Sequence, residues 1–305
     1  MKNILSIFSL LVATSALFGQ SDPGFRQNQF NAMQLNPAQA GANDRNEINA
    51  LSVNSWIGVE GAPTTFTASG NFNATNNLGV GFTALSDQIG PIKTFRLGIS
   101  GAYHLPLNKK WKMSLGLNAF LSNIAVDLPS LTTTVSYDPH MVSALNSGIQ
   151  LKGGWGLLVY SKNLYLGVSQ PILGNVKFLN ANMTQFVQSP SFITYAGADY
   201  KIDSKWDFRP NLVYRYVKAF PTYLNMTAMF TYDKKIDLGL DYQLQGSIGA
   251  ILGVEINKAL YVGYGYSFPT SKLSRITSQT HEIAVRVRFG KTKSGFNFQN
   301  PRFFN

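Results

Sequence analysis

From Tyr232 to Phe268 the chain places apolar side chains at every second position. Ile236, Leu238, Leu240 and Tyr242 share one face of an extended segment, and Asp237, Gly239, Asp241 and Gln243 share the other. Two more segments repeat the pattern. Ile248, Ala250, Leu252, Val254 and Ile256 oppose Gly249, Gly253 and Glu255; Leu260, Val262, Tyr264, Tyr266 and Phe268 oppose Tyr261, Gly263, Gly265 and Ser267. Only Gln245-Gly246 and Asn257-Lys258 separate them, which suits tight hairpins. The stretch reads as an antiparallel meander whose apolar face meets either a sandwich core or lipid.

The same period runs through most of the chain from residue 46. It predicts strands at 46–57, 62–73, 77–87, 93–105, 111–124, 149–160, 163–171, 191–202, 206–217, 221–233, 235–244, 246–256, 259–268 and 279–289, about fourteen. Every second connection is short and polar: Asn76-Asn77, 107–110, 161–163, 203–205, 233–235 and Asn257-Lys258. The intervening set contains the long ones, near 125–148, 170–190 and 269–278. An even strand number with short turns on one side and long loops on the other predicts an all-β fold: a transmembrane, antiparallel, up-and-down β-barrel over residues 46–290. The short turns and both chain ends then face the periplasm. A weak hairpin repeat accompanies the short turns (NNLGVGF, KKWKMSLGL, KNLYLGV, KKIDLGL, NKALYVGY), and Trp111, Trp206 and Phe289 fall where an interfacial aromatic girdle is expected.

Composition settles which medium the apolar face meets. Charged residues are 13% of the chain, about half the usual quarter of a soluble domain. The charges present also keep to one face. Phe95, Leu97, Ile99, Tyr103 and Leu105 oppose Arg96 and His104; Trp206, Phe208, Leu212, Tyr214 and Tyr216 oppose Asp207, Arg209 and Arg215; Ile283, Val285, Val287 and Phe289 oppose Glu282, Arg286 and Arg288. One Arg on the lipid face at mid-membrane would cost roughly 2–4 kcal/mol, so the charges belong in the lumen. Arg96, Arg209, Arg215, Arg286, Arg288, Asp237, Asp241 and Glu282 are therefore the expected lumen charges. The arginines either pair with the carboxylates across a filled lumen or form an electropositive interior that receives an acidic peptide. Strands 46–57 and 191–202 alternate less cleanly, with Leu51 and Val53 set against Ala50 and Trp56.

Residues 1–19 carry Lys2, an apolar run over Ile4–Phe18 and Gly19, the pattern of a secretory signal peptide, with the mature chain starting near Gln20. The chain has no cysteine, which excludes disulfides, thiolate metal sites and a lipid-modified N-terminal cysteine. These features place the protein in the cell outer membrane, in contact with its lipid. The net charge of +11 is scattered over turns and alternate strand positions without a basic helix, so nucleic acid is not an expected partner. Residues 20–45 are read as a periplasmic N-terminal segment whose hydrophobes Phe25, Phe30, Met33 and Leu35 dock somewhere, and residues 291–305 as a periplasmic tail.

Little in the chain suggests catalysis. His104, His140 and His281 fall on different predicted elements without a nucleophile motif or a nearby acid, and no cofactor or metal is expected. Asp237 and Asp241 lie roughly 13 Å apart along one strand, too far for direct pairing. The glycine pairs Gly79/Gly81 and Gly263/Gly265 sit inside strands, where they would let lumen chains or a plug pack close.

At Phe30–Gly41, FNAMQLNPAQAG, the chain resembles the PorP/SprF family of type IX secretion membrane proteins. Three further blocks carry the resemblance: Trp56-Ile57-Gly58 with Gly61-Ala62-Pro63-Thr64, Asp87-Gln88-Ile89-Gly90-Pro91, and the terminal Pro301-Arg302-Phe303-Phe304; His281-Glu282-Ile283 fits as well. Asn28-Gln29, Gln39 and Asn54-Ser55 depart from the family's usual residues. The resemblance implies a non-enzymatic outer-membrane barrel of the type IX secretion and gliding apparatus. Such a barrel would link a secreted surface adhesin, held by its C-terminal domain, to a periplasmic ring or peptidoglycan-linked complex. On this reading Phe30, Asn31, Asn36, Pro37, Ala38, Gly41, Pro301, Arg302, Phe303 and Phe304 either seal the barrel mouth or bind the partner. The competing expectations are a porin-like channel for small solutes and a barrel enzyme acting on lipid through its histidines.

Overall fold

The computed structural model describes residues 24–127, 129, 145–174, 190–218, 220–270 and 279–290. The expected signal peptide, the tail 291–305 and His140 lie outside them. Fourteen antiparallel strands form one closed sheet. In chain order they are β1 Asn46–Asn54, β2 Thr64–Asn73, β3 Leu78–Ile89, β4 Ile92–Pro106, β5 Lys112–Val126, β6 Gln150–Tyr160 and β7 Leu164–Gln170. The second half comprises β8 Ser191–Ala198, β9 Trp206–Val217, β10 Tyr223–Tyr232, β11 Ile236–Gln243, β12 Ser247–Glu255, β13 Leu260–Pro269 and β14 Thr280–Phe289. Each strand pairs with its sequence neighbours, and β14 closes the barrel on β1 from Asn46↔Phe289 to Asn54↔His281. All fourteen expected strands are present. Tyr200–Lys201 continues β8 in the same register after a gap opposite Arg209-Pro210, where the proline has no N–H to give the ladder.

The side chains sort by the period of two. Ile99, Leu117 and Leu240 point outward with 64–68% of their surface exposed, while Ser114, Asn225 and Glu282 on the inner face have none. Among the described residues no helix is long and apolar enough to cross a membrane. Aromatic side chains gather near the short turns, with Trp206 against Tyr232 at 5.0 Å and Phe72 against Phe289 at 6.2 Å.

The hairpin repeat has a chemical cause. In five of the six short turns a side-chain oxygen accepts the backbone N–H groups two and three residues on: Thr75 from Asn77 and Leu78, Asn108 from Lys110 and Trp111, Ser161 from Asn163 and Leu164, Asp203 from Lys205 and Trp206, and Asn257 from Ala259 and Leu260. The sixth, Asp233-Lys234, places both residues at positive φ, 45° and 58°, the twist that a two-residue hairpin needs. In Asp203 the two donated N–H groups hold the carboxyl below its ordinary pKa.

Candidate functional site: a resident segment in the lumen

Residues 24–43 do not lie beneath the barrel. They run through it, where a periplasmic N-terminal segment is the expectation from sequence. Phe30, Asn31, Asn36, Ala38 and Gln39 are at most 1% exposed, and all are enclosed by barrel strands. The path is legible from contacts with the wall. Arg45 donates to the carbonyl of Lys258 in a short turn (2.8 Å), and Asn73 donates to the carbonyl of Asn43 (2.9 Å). Deeper in, Ser114 and Ser169 donate to the carbonyls of Ala38 (2.8 Å) and Leu35 (2.5 Å). At the far end Arg26 meets Glu282 and Ser247, which begin β14 and β12 at the long-loop rim.

The segment folds as three short helical turns, Asn28–Phe30, Ala32–Leu35 and Pro37–Gln39. The Asn36-Pro37 pair starts the last of these. The Asn36 side chain accepts the Ala38 N–H (2.8 Å), and Pro37 sits where a helix has no use for an N–H. The same Asn36 amide donates to the Leu157 carbonyl of β6 (3.0 Å), so one residue both shapes the turn and fixes it to the wall. Gly41, at φ 69°, turns the chain out toward β1 while its N–H donates to Asn71.

Apolar residues of the segment find apolar patches inside an otherwise polar lumen. Phe25 and Phe30 pack with Leu51, Val53, Leu85, Tyr261 and Ala284; Leu35 and Ala38 pack with Leu158, Tyr165, Ile193 and Val213; Met33 and Ala40 pack with Ala102. This explains the irregular alternation of β1, whose Leu51 and Val53 face inward toward Phe30. Glycines admit the backbone. A Cβ on Gly79 would fall 2.1 Å from the Ala40 carbonyl oxygen, and one on Gly81 2.4 Å from the sulfur of Met33. One on Gly263 would lie 2.2 Å from Oε1 of Gln27. Both glycine pairs singled out in the sequence therefore flank the segment.

Of the expected lumen charges, Arg209, Arg286, Arg288, Asp237, Asp241 and Glu282 are in ion pairs. Glu282 accepts the backbone N–H groups of Arg26 (3.1 Å) and Gln27 (3.2 Å) as well as the Arg26 guanidinium (3.2 Å), whose Nε lies 3.7 Å from Asp241. Asp241 also accepts from Asn225 (2.7 Å) and Thr227 (2.9 Å). Asp237 accepts from Arg209 (2.5 Å), Thr231 (2.6 Å) and Tyr261 (2.8 Å). Arg286 donates to Asn49 (2.8 Å) and to the Gln29 carbonyl (2.9 Å), stacks at 4.6 Å on the Phe30 ring and lies 3.4 Å from Glu47; Arg288 reaches Glu255 (3.1 Å). Arg215 lies 5.1 Å over the Tyr223 ring. The filled-lumen reading thus fits the geometry of Arg209, Arg286 and Arg288, whereas an interior free to receive a peptide along its length does not. Arg26 and Glu47, absent from the expected charges, complete the network.

His104 bonds the Ala40 carbonyl (2.8 Å) and the Tyr160 hydroxyl (2.9 Å), which holds the segment in place; His281 contacts Tyr264 (2.5 Å). Among the described residues no three His, Cys, Asp or Glu side chains are grouped to hold a metal. Pro301, Arg302, Phe303 and Phe304 lie outside the described residues.

Comparisons with known proteins agree with this architecture. The toluene transporter TbuX of Ralstonia pickettii superposes with a TM-score of 0.51 at 11% identity, covering 85% of this chain and 93% of that one. A Pseudomonas aeruginosa FadL homologue superposes with a TM-score of 0.50 at 8% identity, covering 92% and 97%. At these identities the likeness is one of fold. No curated protein matches the chain. The profile of the type IX secretion system membrane protein PorP/SprF family matches residues 17–287, nearly the whole chain. This outer-membrane barrel, with its own N-terminal segment packed in the lumen, belongs to the PorP/SprF family of type IX secretion system membrane proteins.

Proposed function

We propose that the protein is a non-enzymatic anchor of the type IX apparatus that holds a secreted adhesin by its C-terminal domain and is tied to the peptidoglycan-linked periplasmic complex. In this reading residues 1–19 are removed on export, the long-loop rim faces outward, and the short-turn rim faces the periplasm together with the tail bearing Pro301, Arg302, Phe303 and Phe304. The observation that carries it is the occupied lumen: about twenty residues of the chain's own N-terminal region stand in the passage. A barrel filled in this way suits holding a partner at its rims better than conducting solutes, which is why the anchor is preferred to the porin-like reading. Phe30, Asn31, Asn36, Pro37, Ala38 and Gly41 then serve the partner indirectly, by keeping the barrel closed and its rims in shape. Affinity purification from native membranes is the test. The expected result is co-recovery of a secreted surface protein and periplasmic ring components; recovery of neither would sink the proposal.

A further inference from the structure

Five of the six short turns carry lysine, and the closed sheet gathers them on one edge of the barrel: Lys110 after β4, Lys162 after β6, Lys205 before β9, Lys234 after β10 and Lys258 after β12. All five are exposed, and the short turns together hold seven lysines against two aspartates, Asp203 and Asp233. Asp233 pairs with Lys235 at 3.3 Å and Asp203 feels Lys205 beside it, which leaves this edge strongly positive. Neighbouring turns lie two strand spacings apart, about 10 Å.

The side chains around these lysines identify the surface they meet. In three turns the chain leaves the outer face with an apolar residue and returns to it with another: Leu107 and Trp111 about Lys110, Ile202 and Trp206 about Lys205, Ile256 and Leu260 about Lys258. The geometry repeats, the N–H of the first residue donating to the carbonyl of the last at 2.9–3.0 Å in each turn. By the period of two all six side chains continue the lipid face of their strands. Leu107, Ile202 and Ile256 are more than half exposed. An acidic protein reached through water would leave these groups wet. The boundary between hydrocarbon and headgroups takes both kinds of side chain, apolar residues toward the acyl chains and ammonium groups reaching out on their stems to phosphate.

We propose that this edge binds anionic phospholipid headgroups, one turn to a headgroup, with each lysine on a phosphate and the flanking apolar residues against the first methylenes of the chains. The lysine ammonium is a compact point charge with three donors, which suits a phosphate. A row of such charges beside a bilayer favours anionic over zwitterionic lipid. With the short turns toward the periplasm, the lipids are those of the periplasmic leaflet. Only that choice of leaflet rests on the orientation given above; the binding rests on the turns and is independent of the secretion partner.

The experiment places the full-length protein in phosphatidylcholine vesicles and measures, by electron spin resonance, the association of spin-labelled phosphatidylglycerol relative to spin-labelled phosphatidylcholine. The expected result is a preference of about twofold or more for phosphatidylglycerol in about 0.01 M salt, falling toward parity in about 1 M salt, where screening acts within about 3 Å. Replacing Lys110, Lys162, Lys205, Lys234 and Lys258 together by Gln should abolish the preference. Lys93→Gln with Lys218→Gln, exposed lysines near the opposite rim, should leave it in place. A shift in gel mobility on heating shows that each variant is folded. Parity in the wild-type protein at low salt overturns the proposal and leaves the lysine edge to an acidic protein. A preference that persists in the five-glutamine variant, or that the opposite-rim variant loses equally, overturns it as well.

Discussion

At the residue scale Arg26 is the most consequential, because its removal takes the cation away from two buried carboxylates at once. Arg26→Met strands two carboxylates, Glu282 and Asp241, that are almost inaccessible to water. A buried pair broken from one side costs about 3–5 kcal/mol. Unfolding of the reconstituted barrel in urea, followed by gel mobility, should register a loss of that order. Adding Glu282→Gln to Arg26→Met should restore part of it, since one stranded charge is removed. A second residue-level prediction separates the two faces of β12. Leu252→Arg puts a cation among lipid tails at a cost of roughly 2–4 kcal/mol. Gly253→Arg turns inward but finds no room, since even a Cβ there falls 1.8 Å from the Tyr261 hydroxyl. Both variants should assemble poorly, yet only Gly253→Arg should be relieved by Tyr261→Ala, as read from the folded fraction of the four proteins.

At the scale of elements, the strands and their turns were legible because each obeys local rules: a period of two, a polar turn, a side-chain oxygen three residues before the strand resumes. Asp203 illustrates how local the rule is. Its depressed carboxyl pKa means that its contribution is present above the ordinary carboxylate pKa and is lost as pH falls through the lowered value. Asp203→Asn should leave assembly intact at neutral pH, since Asn108 and Asn257 perform the same task, and should abolish that turn's acid sensitivity; Asp203→Ala should slow folding at every pH. Refolding rates into lipid vesicles across the acid range distinguish the three. The resident segment was not legible in this way. Residues 24–43 have no period, and their partners, from Asn71 to Glu282, are spread over most of the barrel strands. What the sequence did carry was the imprint on the wall: glycines within strands, small hydroxyls such as Ser114 and Ser169, and the misplaced hydrophobes Leu51 and Val53. Each has a bland explanation alone, and only the closed barrel brings them to one surface.

At the scale of the whole molecule the segment and the barrel form one core. The wall of a barrel this wide cannot fill its own lumen, and here the filling comes from the same chain, held largely by neutral hydrogen bonds to side chains of the wall. Each such bond contributes only about 0.5–1.5 kcal/mol net, so stability is distributed over many weak contacts plus the Arg26 ion pairs. Consequently the barrel and its closure are separable. Deleting residues 24–43 should leave a sheet whose ladder and lipid face are unchanged, but whose lumen admits water and ions. In planar bilayers the full-length protein should pass no steady current, while the deleted form should show a stable ohmic conductance. Gly79→Val, which pushes a side chain into the Ala40 carbonyl, should give intermittent openings between these limits. The conductance also bears on function. Steady current through the full-length protein would restore the porin-like reading, because it would mean that the segment leaves the lumen by itself under ordinary conditions. A closed full-length protein with an open deletion variant would assign the segment the role of a permanent seal, leaving the rims as the places where a partner can be held.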